Sequence, residues 1–70
     1  MKEEFNNTEK RILKVLYQHH KALSTSKVAK YTGYSYNTVK KYLISLHKRK
    51  YVRYMHHGNA IYWWLMEERG

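Results

Sequence analysis

The spacing of apolar residues predicts three helices in the first two thirds of the chain. Ile12, Val15 and Leu16 recur at intervals of three and four residues, which places them on one side of a helix from about Asn7 to His19. A short extended link, KALS, and a short second helix, TSKVAKYT, follow. A third segment repeats the helical spacing, and its buried side is formed by Val39, Tyr42, Leu43 and Leu46.

Residues that favour helix ends stand at the boundaries of these segments. Asn6 with Glu9 three residues later has the form of a capping box before the first helix. Ser24 and Ser35 have side-chain oxygens suited to cap the second and third helices. Gly33 lies between them and suits a left-handed helix end. The second and third helices are therefore predicted to be joined by a tight turn.

The last third of the chain has the pattern of a β-hairpin. YVRYM and AIYWWL are rich in aromatic and β-branched residues, and HHGNA between them has turn-forming residues. The alternation predicts that Tyr54 and Trp63 face the core, while Tyr62 and Trp64 lie on the outer face. Aromatic residues interleaved with basic ones also occur in platforms that stack single-stranded nucleic acid, so that alternative stays open here.

Length and composition indicate one small domain over residues 1–70, with a core over about 8–66. The chain has no Cys, which favours an intracellular, cytoplasmic location over secretion for a domain of this size. No apolar run approaches the roughly 20 residues of a membrane span, and the start MKEEFNNTEK lacks a signal-peptide core. We expect no membrane association, no small-molecule ligand and no cofactor.

The distribution of charge indicates a polyanionic partner. The formal net charge is +9, and all five acidic residues lie near the chain ends. Between residues 10 and 66 stand twelve of the fourteen Lys and Arg residues and no Asp or Glu. Self-repulsion of this size destabilises a free protein, so such a field is typical of a nucleic-acid-binding domain.

The residues in LSTSKVAKYTGYSYNTVKKYLISLHKRKYV carry a family resemblance. A capped second helix with Val28 facing inward, Gly33 in the turn, Ser35 capping the third helix and Val52 opening a hairpin resemble winged helix-turn-helix DNA-binding domains. The resemblance covers about residues 8–66 and implies an α+β fold, mostly α, of three helices and a C-terminal hairpin wing. The sequence departs from the family at Lys50, where a Gly commonly ends the third helix.

The resemblance implies that the third helix enters the major groove of double-stranded DNA and that the wing reaches a neighbouring groove or phosphate. Asn37 is the favoured base reader, because its amide can make two hydrogen bonds to an adenine. The expected base-contacting residues are Tyr36, Asn37, Lys40, Lys41 and Ile44. The expected DNA backbone contacts are Ser24, Thr25, Ser26, Lys27, Lys30, Tyr31, Lys48, Arg53, His56, His57 and Asn59. The alternative for the polar base readers is contact with phosphates alone, which positions a protein without specifying sequence.

The same inventory disfavours catalysis and metal binding. Between residues 10 and 66 there is no carboxylate, and most Ser and Thr residues are explained as helix caps. His19-His20 and His56-His57 are adjacent pairs, and neighbouring side chains on a helix point about 100° apart, which disfavours chelation of one ion. We therefore expect neither an enzyme nor a metal site. The wing histidines are expected to gain charge as the pH falls.

The start EKRILKVL and Trp63 before Leu65 are also similar to the Z-DNA-binding domains of RNA-editing adenosine deaminases. Those domains join an Asn and a Tyr on the third helix to a Pro-containing wing and that Trp. Lys40 and Ile44 stand at the corresponding positions here, and the chain has no Pro. These departures favour ordinary B-form duplex.

The favoured function is a sequence-specific transcription regulator, namely a repressor that acts by occupying its site. A homodimer on DNA is expected through the first helix or the chain ends, where Phe5 and Tyr17 offer apolar surface. Two alternatives stay open. One is an architectural protein that coats duplex without sequence preference, and the other is a winged helix that binds proteins.

Overall fold

The computed structural model describes residues 4–66, and its elements follow the predicted order. Three helices and three strands are present: α1 (Asn7–His19), β1 (Leu23–Ser24), α2 (Thr25–Thr32), α3 (Tyr36–Lys48), β2 (Val52–His57) and β3 (Ala60–Leu65). The antiparallel sheet has the strand order β1-β3-β2. The winged helix-turn-helix architecture is confirmed, with β1 adding a short third strand to the hairpin.

The helix caps are those that the sequence predicts. Asn6 and Glu9 form both hydrogen bonds of a capping box: the Glu9 backbone N–H donates to Asn6 at 2.8 Å, and the Asn6 N–H donates to Glu9 at 3.0 Å. Ser24 accepts from the N–H of Lys27 and Ser35 accepts from the N–H of Thr38. Because each cap satisfies N–H groups that lack a partner within the helix, the starts of α2 and α3 are fixed locally.

The core lies between the three helices and one face of the sheet. It is built from one side of each helix and from inward-facing strand residues: Ile12, Val15, Leu16, Leu23, Val28, Val39, Leu43, Leu46, Val52 and Trp63. Each of these side chains is at most 6% exposed, so a small core holds both α3 and the wing in place. No described helix is long and apolar enough to cross a membrane.

A Schellman motif ends α3 and explains how the chain tolerates Lys50. The N–H of Tyr51 donates to the carbonyl of Leu46 at 3.0 Å, and the N–H of Lys50 donates to that of His47 at 2.9 Å. The motif requires a left-handed residue, and Lys50 has φ 68°. A lysine therefore takes the backbone conformation that glycine adopts more easily.

The hairpin alternates as predicted, but its burial differs from the prediction. Tyr54 lies on the same face as Val52, yet its side chain is 43% exposed, because this face extends beyond the helical core toward the turn. The expectation that Tyr54 is a core residue is therefore wrong. Tyr62 and Trp64, predicted to lie on the outer face, are half-buried.

Arg49 joins the start of α1 to the end of α3. Its guanidinium lies 3.2 Å from the carboxylate of Glu9 and donates to the backbone carbonyl of Glu4 at 2.9 Å. The same group lies 4.7 Å from the ring centroid of Phe5 and 5.5 Å from that of Tyr51. Because Glu9 is buried, this ion pair neutralises the acidic group that would otherwise be unpaired in the core.

Candidate nucleic-acid interface

The exposed side of α3 begins directly after the Ser35 cap. Tyr36 and Ile44 are 45% and 41% exposed, and Asn37 and Lys41 are also exposed. The opposite side of the helix is anchored by core residues, so this face is held outward by packing. Four of the five predicted base-contacting side chains are thus on the surface, and the fifth, Lys40, is half-buried.

Lys40 is half-buried because it lines a groove between α3 and the wing. The groove has a volume of about 290 Å³. Its walls come from α3, β2 and β3: Lys40, Ile44, His47, Lys48, Tyr54, His56, Ile61 and Trp63. The groove thus combines aliphatic and aromatic side chains with two lysines and two histidines, and none of the described residues that line it is acidic.

Tyr54 forms the centre of a ring cluster in this groove. Its ring centroid lies 4.8 Å from that of His47, 5.8 Å from that of His56 and 5.2 Å from that of Trp63. Both histidine contacts are edge-to-face, a favoured arrangement for aromatic pairs. The sequence interpretation did not assign a site role to His47 or Tyr54. The signal for His47 was its spacing of three and seven residues from Ile44 and Lys40, which puts it on the same helical face.

The start of α2 presents some of its predicted contacts but not all. Ser26, Lys27 and Lys30 are exposed, whereas the hydroxyl of Ser24 is occupied by its cap at 3.1 Å. Thr25 is only 1% exposed. Its side chain is therefore not available to a phosphate, and the contact expected from the free N–H groups at the start of α2 stays a prediction for the backbone.

The physical reason is a buried hydrogen-bond chain. The indole N–H of Trp63 donates to the hydroxyl of Thr25 at 2.8 Å, and that hydroxyl donates to the carbonyl of Ile61 at 3.3 Å. A Trp inside a core usually requires such a partner for its N–H. Thr25 thus connects α2 to the central strand of the sheet.

The remaining predicted contacts lie on three parts of the surface. Tyr31 on α2 is 39% exposed and stacks on His19 of α1, with centroids 4.4 Å apart. Lys48 lies on the rim of the groove. In the wing Arg53, His56, His57 and Asn59 are all exposed. Of these, His56 faces the groove, whereas Arg53 and His57 lie on the other side of β2 by alternation.

Basic residues far outnumber acidic ones among the residues that the structure describes. Only Glu4 and Glu9 are acidic within residues 4–66, and both contact Arg49 on the side of α1. Glu3, Glu67 and Glu68 lie outside the described residues. Within residues 4–66 no three His, Cys, Asp or Glu side chains are grouped so that they could hold a metal ion.

The sequence matches the model of a known protein family. The model of the IclR helix-turn-helix domain matches residues 11–56, a segment that runs from α1 into β2 and includes the complete helix-turn-helix. The chain belongs to the IclR helix-turn-helix domain family. This IclR-type domain is thus a winged helix-turn-helix of the DNA-binding class found in transcription regulators.

The chain is also similar to a curated transcription factor. The IclR-type domain is 42% identical over 48 residues to Transcription factor E of Nanoarchaeum equitans (strain Kin4-M). The match covers 69% of this chain and 34% of the relative, so the chain spans about a third of the relative's length.

Solved structures share the fold. The AntR antimony-specific transcriptional repressor superimposes with a TM-score of 0.81 at 26% identity, covering 89% of this chain and 55% of that one. The Zalpha domain of Carassius auratus PKZ, solved in complex with Z-DNA, gives 0.73 at 26% identity, covering 83% and 90%. The zinc-responsive MarR family member ZitR of Lactococcus lactis gives 0.79 at 20% identity, covering 96% and 47%, and shows the fold alone.

Proposed function

We propose that this IclR-type domain binds double-stranded DNA sequence-specifically and regulates transcription, with α3 in the major groove and the wing on the flanking strand. The observation that carries the proposal is the exposed face of α3. It presents Asn37 and Lys41 beside a cationic groove, with no acidic side chain among the groove residues. Amide and ammonium groups on a helix are the readers of base edges in the major groove, and the surrounding cations supply phosphate contacts.

Three surfaces contribute backbone contacts in this proposal. The first is the exposed side of α2, which has Ser26, Lys27, Lys30 and Tyr31. The second is Lys48 at the end of α3, and the third is the wing. These positions are exposed, as required of residues that bind phosphates and so position the helix.

The proposed ligand is B-form duplex. The Zalpha neighbour was solved with Z-DNA, so the left-handed form is the specific competitor to consider. In this chain Lys40 and Ile44 stand where the resembling Z-DNA binders have Asn and Tyr, and the chain has no Pro for a Pro-containing wing. The ammonium group of a lysine is a mobile point charge, whereas an Asn amide makes hydrogen bonds in fixed directions. Lys40 therefore lacks the directed contact that the Z-DNA binders make at this position.

The mode of regulation that we propose is repression by occupancy of the DNA site. AntR is a transcriptional repressor, and it shares the fold over most of this chain. The protein then acts inside the cell, where its DNA lies, and has no enzymatic activity of its own. We also propose that two copies bind one site through α1, where Tyr17 is 65% exposed.

Competition binding tests this function. Sites selected from a random duplex pool are labelled, and the protein is titrated against unlabelled competitors: the same site, a scrambled duplex and an alternating dC-dG duplex held in the left-handed form. We expect the selected site to compete at least about 1,000-fold better than the scrambled duplex, a typical ratio for specific binding. Equal competition by scrambled duplex indicates an architectural coat, and preferential competition by the left-handed duplex overturns the B-form proposal.

The salt dependence of the same titration measures the phosphate contacts. If the interface neutralises about six phosphates, the logarithm of affinity should fall with the logarithm of salt concentration at a slope near about −5. A slope shallower than about −2 contradicts a polyanion interface of this size. If the protein binds none of the duplexes, the result favours the alternative that this winged helix binds proteins.

A further inference from the structure

The groove between α3 and the wing lies where the proposed docking places a single DNA strand. This inference rests on the proposed function. A helix in the major groove and a wing at the neighbouring minor groove are separated by one sugar–phosphate backbone. The groove of about 290 Å³ lies between these two elements, with α3 forming one wall and β2 and β3 the other.

The lining of the groove matches the chemistry of that strand. Ile44, Ile61 and the ring of Tyr54 provide an apolar surface that suits a deoxyribose. Lys40 and Lys48 provide fixed positive charge from α3. A sugar flanked by two phosphates has the same alternation of apolar and anionic parts.

His47 from α3 and His56 from β2 both line this groove. Tyr54 contacts both rings edge-to-face, with centroid separations of 4.8 and 5.8 Å. Both residues are exposed, as is required of side chains that bind an anion from solution. The other titratable and charged groups facing them are Lys40 and Lys48 from α3 and Tyr54 from β2, while β3 contributes only Ile61 and Trp63.

We infer that this groove seats one sugar–phosphate segment of the bound duplex, and that His47 and His56 bind its phosphates in the protonated form. Histidine is the side chain whose charge changes most readily between pH 5 and 8, and a neighbouring negative charge favours the charged ring. Each ring then takes up one proton from solution when the phosphate binds. DNA affinity is therefore proton-linked and increases as the pH falls.

One other histidine provides a matched control. His20 lies at the end of α1 near Tyr17, with ring centroids 5.5 Å apart. It is not among the groove residues, and it is not one of the residues that we propose to contact DNA.

The test is the affinity for one fixed duplex at pH 8 and pH 6, at constant ionic strength. A hydrogen bond to a charged group is strong enough that each protonated histidine should tighten binding by about tenfold. Parent protein should therefore gain up to about 100-fold between pH 8 and pH 6. His47→Gln and His56→Gln should each lose about tenfold of that gain, and the double variant should lose nearly all of it. His20→Gln should keep the full gain.

Two further measurements separate phosphate binding from a structural effect. The salt slope of the parent should be steeper at pH 6 than at pH 8 by about 0.9 for each histidine that binds a phosphate. The double variant with His47→Lys and His56→Lys, which carries two permanent charges, should bind about as tightly at pH 8 as the parent does at pH 6, and each single Lys variant should recover about tenfold of that gain. Circular dichroism checks that each variant is folded.

The outcomes distinguish this inference from the proposed function. Parent protein that binds duplex with the same affinity and slope at both pH values overturns the strand site but leaves DNA binding intact. The same conclusion follows if the double Gln variant keeps the full pH dependence. Parent protein that binds no duplex at either pH overturns the proposed function and this inference together.

Discussion

Lys50 has a backbone conformation that is unfavourable for a residue with a side chain. Its φ of 68° lies in the left-handed region, which costs a non-glycine residue about 1–3 kcal/mol in a constrained site. The Schellman motif at the end of α3 imposes this conformation, and the hydrogen bonds of Lys50 and Tyr51 maintain it. The strain falls at the junction between the recognition helix and the wing.

Lys50→Gly is therefore expected to increase the free energy of unfolding by about 1 kcal/mol, because glycine adopts this conformation without a side-chain clash. Urea denaturation of the parent and of the variant measures the difference. Lys50→Ala is the matched control, since it removes the same charge and keeps the strain. If the glycine and alanine variants are equally stable, the backbone explanation fails.

Variants of Asn37 and Lys27 distinguish contacts with bases from contacts with phosphates. Asn37→Ala is expected to cost about 1–3 kcal/mol on the preferred site and to relax selectivity at one base pair. Lys27→Ala should weaken binding to all duplexes by a similar factor, because phosphates carry no sequence information. Titration of both variants against the selected and scrambled duplexes measures the two effects. Equal losses on both duplexes for both variants would support a non-specific coat.

At the scale of elements, the hydroxyl of Thr25 links α2 to the sheet. It accepts from Trp63 and donates to the carbonyl of Ile61, so it fixes the helix-turn-helix relative to the wing. This buried link has a consequence for stability that a phosphate contact lacks.

Thr25→Val keeps the shape of the side chain and removes its hydroxyl. We expect a loss of about 1–3 kcal/mol in the free energy of unfolding, because the indole N–H of Trp63 is left buried without its partner. Ser26→Ala, at the exposed neighbouring position, should change stability by less than about 0.5 kcal/mol. Thermal denaturation compares the two. A Thr25→Val protein of parental stability would contradict the stabilising role of this hydrogen bond.

The contrast between Thr25 and the caps shows what the sequence could predict. Ser24, Ser35 and the capping box act through partners three residues away, so the residue types and their spacing determined them. The partner of Thr25 is 38 residues away, and its pairing depends on how β3 packs against α2. Local pattern carried no information on that contact.

The wing also shows that local sequence pattern does not predict contacts between distant parts of the chain. Alternation assigned the side chains of β2 to two faces correctly, but it did not show where the helical core ends beneath the strand. Tyr54 therefore became part of the groove surface instead of the core. The groove itself required two elements to meet in space, and for that reason His47 received no role before the fold was known.

At the scale of the whole molecule, one copy provides a small interface. Single DNA-binding modules of this kind bury about 600–1,000 Å² on duplex, and pairing two copies doubles the readout. Tyr17 on α1 is 65% exposed and lies outside the elements that we propose to contact DNA. Phe5, the other apolar residue expected there, is half-buried between Arg49 and Tyr51. The chain ends beyond residues 4–66 lie outside the described residues.

We expect two copies to bind a palindromic duplex whose half-sites are about one helical turn apart. Sedimentation of the protein with such a duplex counts the copies per complex. Tyr17→Ala should weaken the second binding event, whereas Met55→Ala, an exposed apolar residue on the wing, should leave the count at two. A parent complex that holds one copy at saturating protein contradicts the dimer.

The open edge of β2 links the charge of the protein to its solubility. In the described sheet β2 pairs only with β3, so its other edge has unpaired backbone groups that another strand can join. Arg53 lies along this edge and is exposed. Like charges on two approaching edges repel, which opposes strand-to-strand aggregation of free copies. The positive charges that we assign to DNA binding therefore also protect the unbound protein from joining sheet to sheet, and high salt weakens both effects at once.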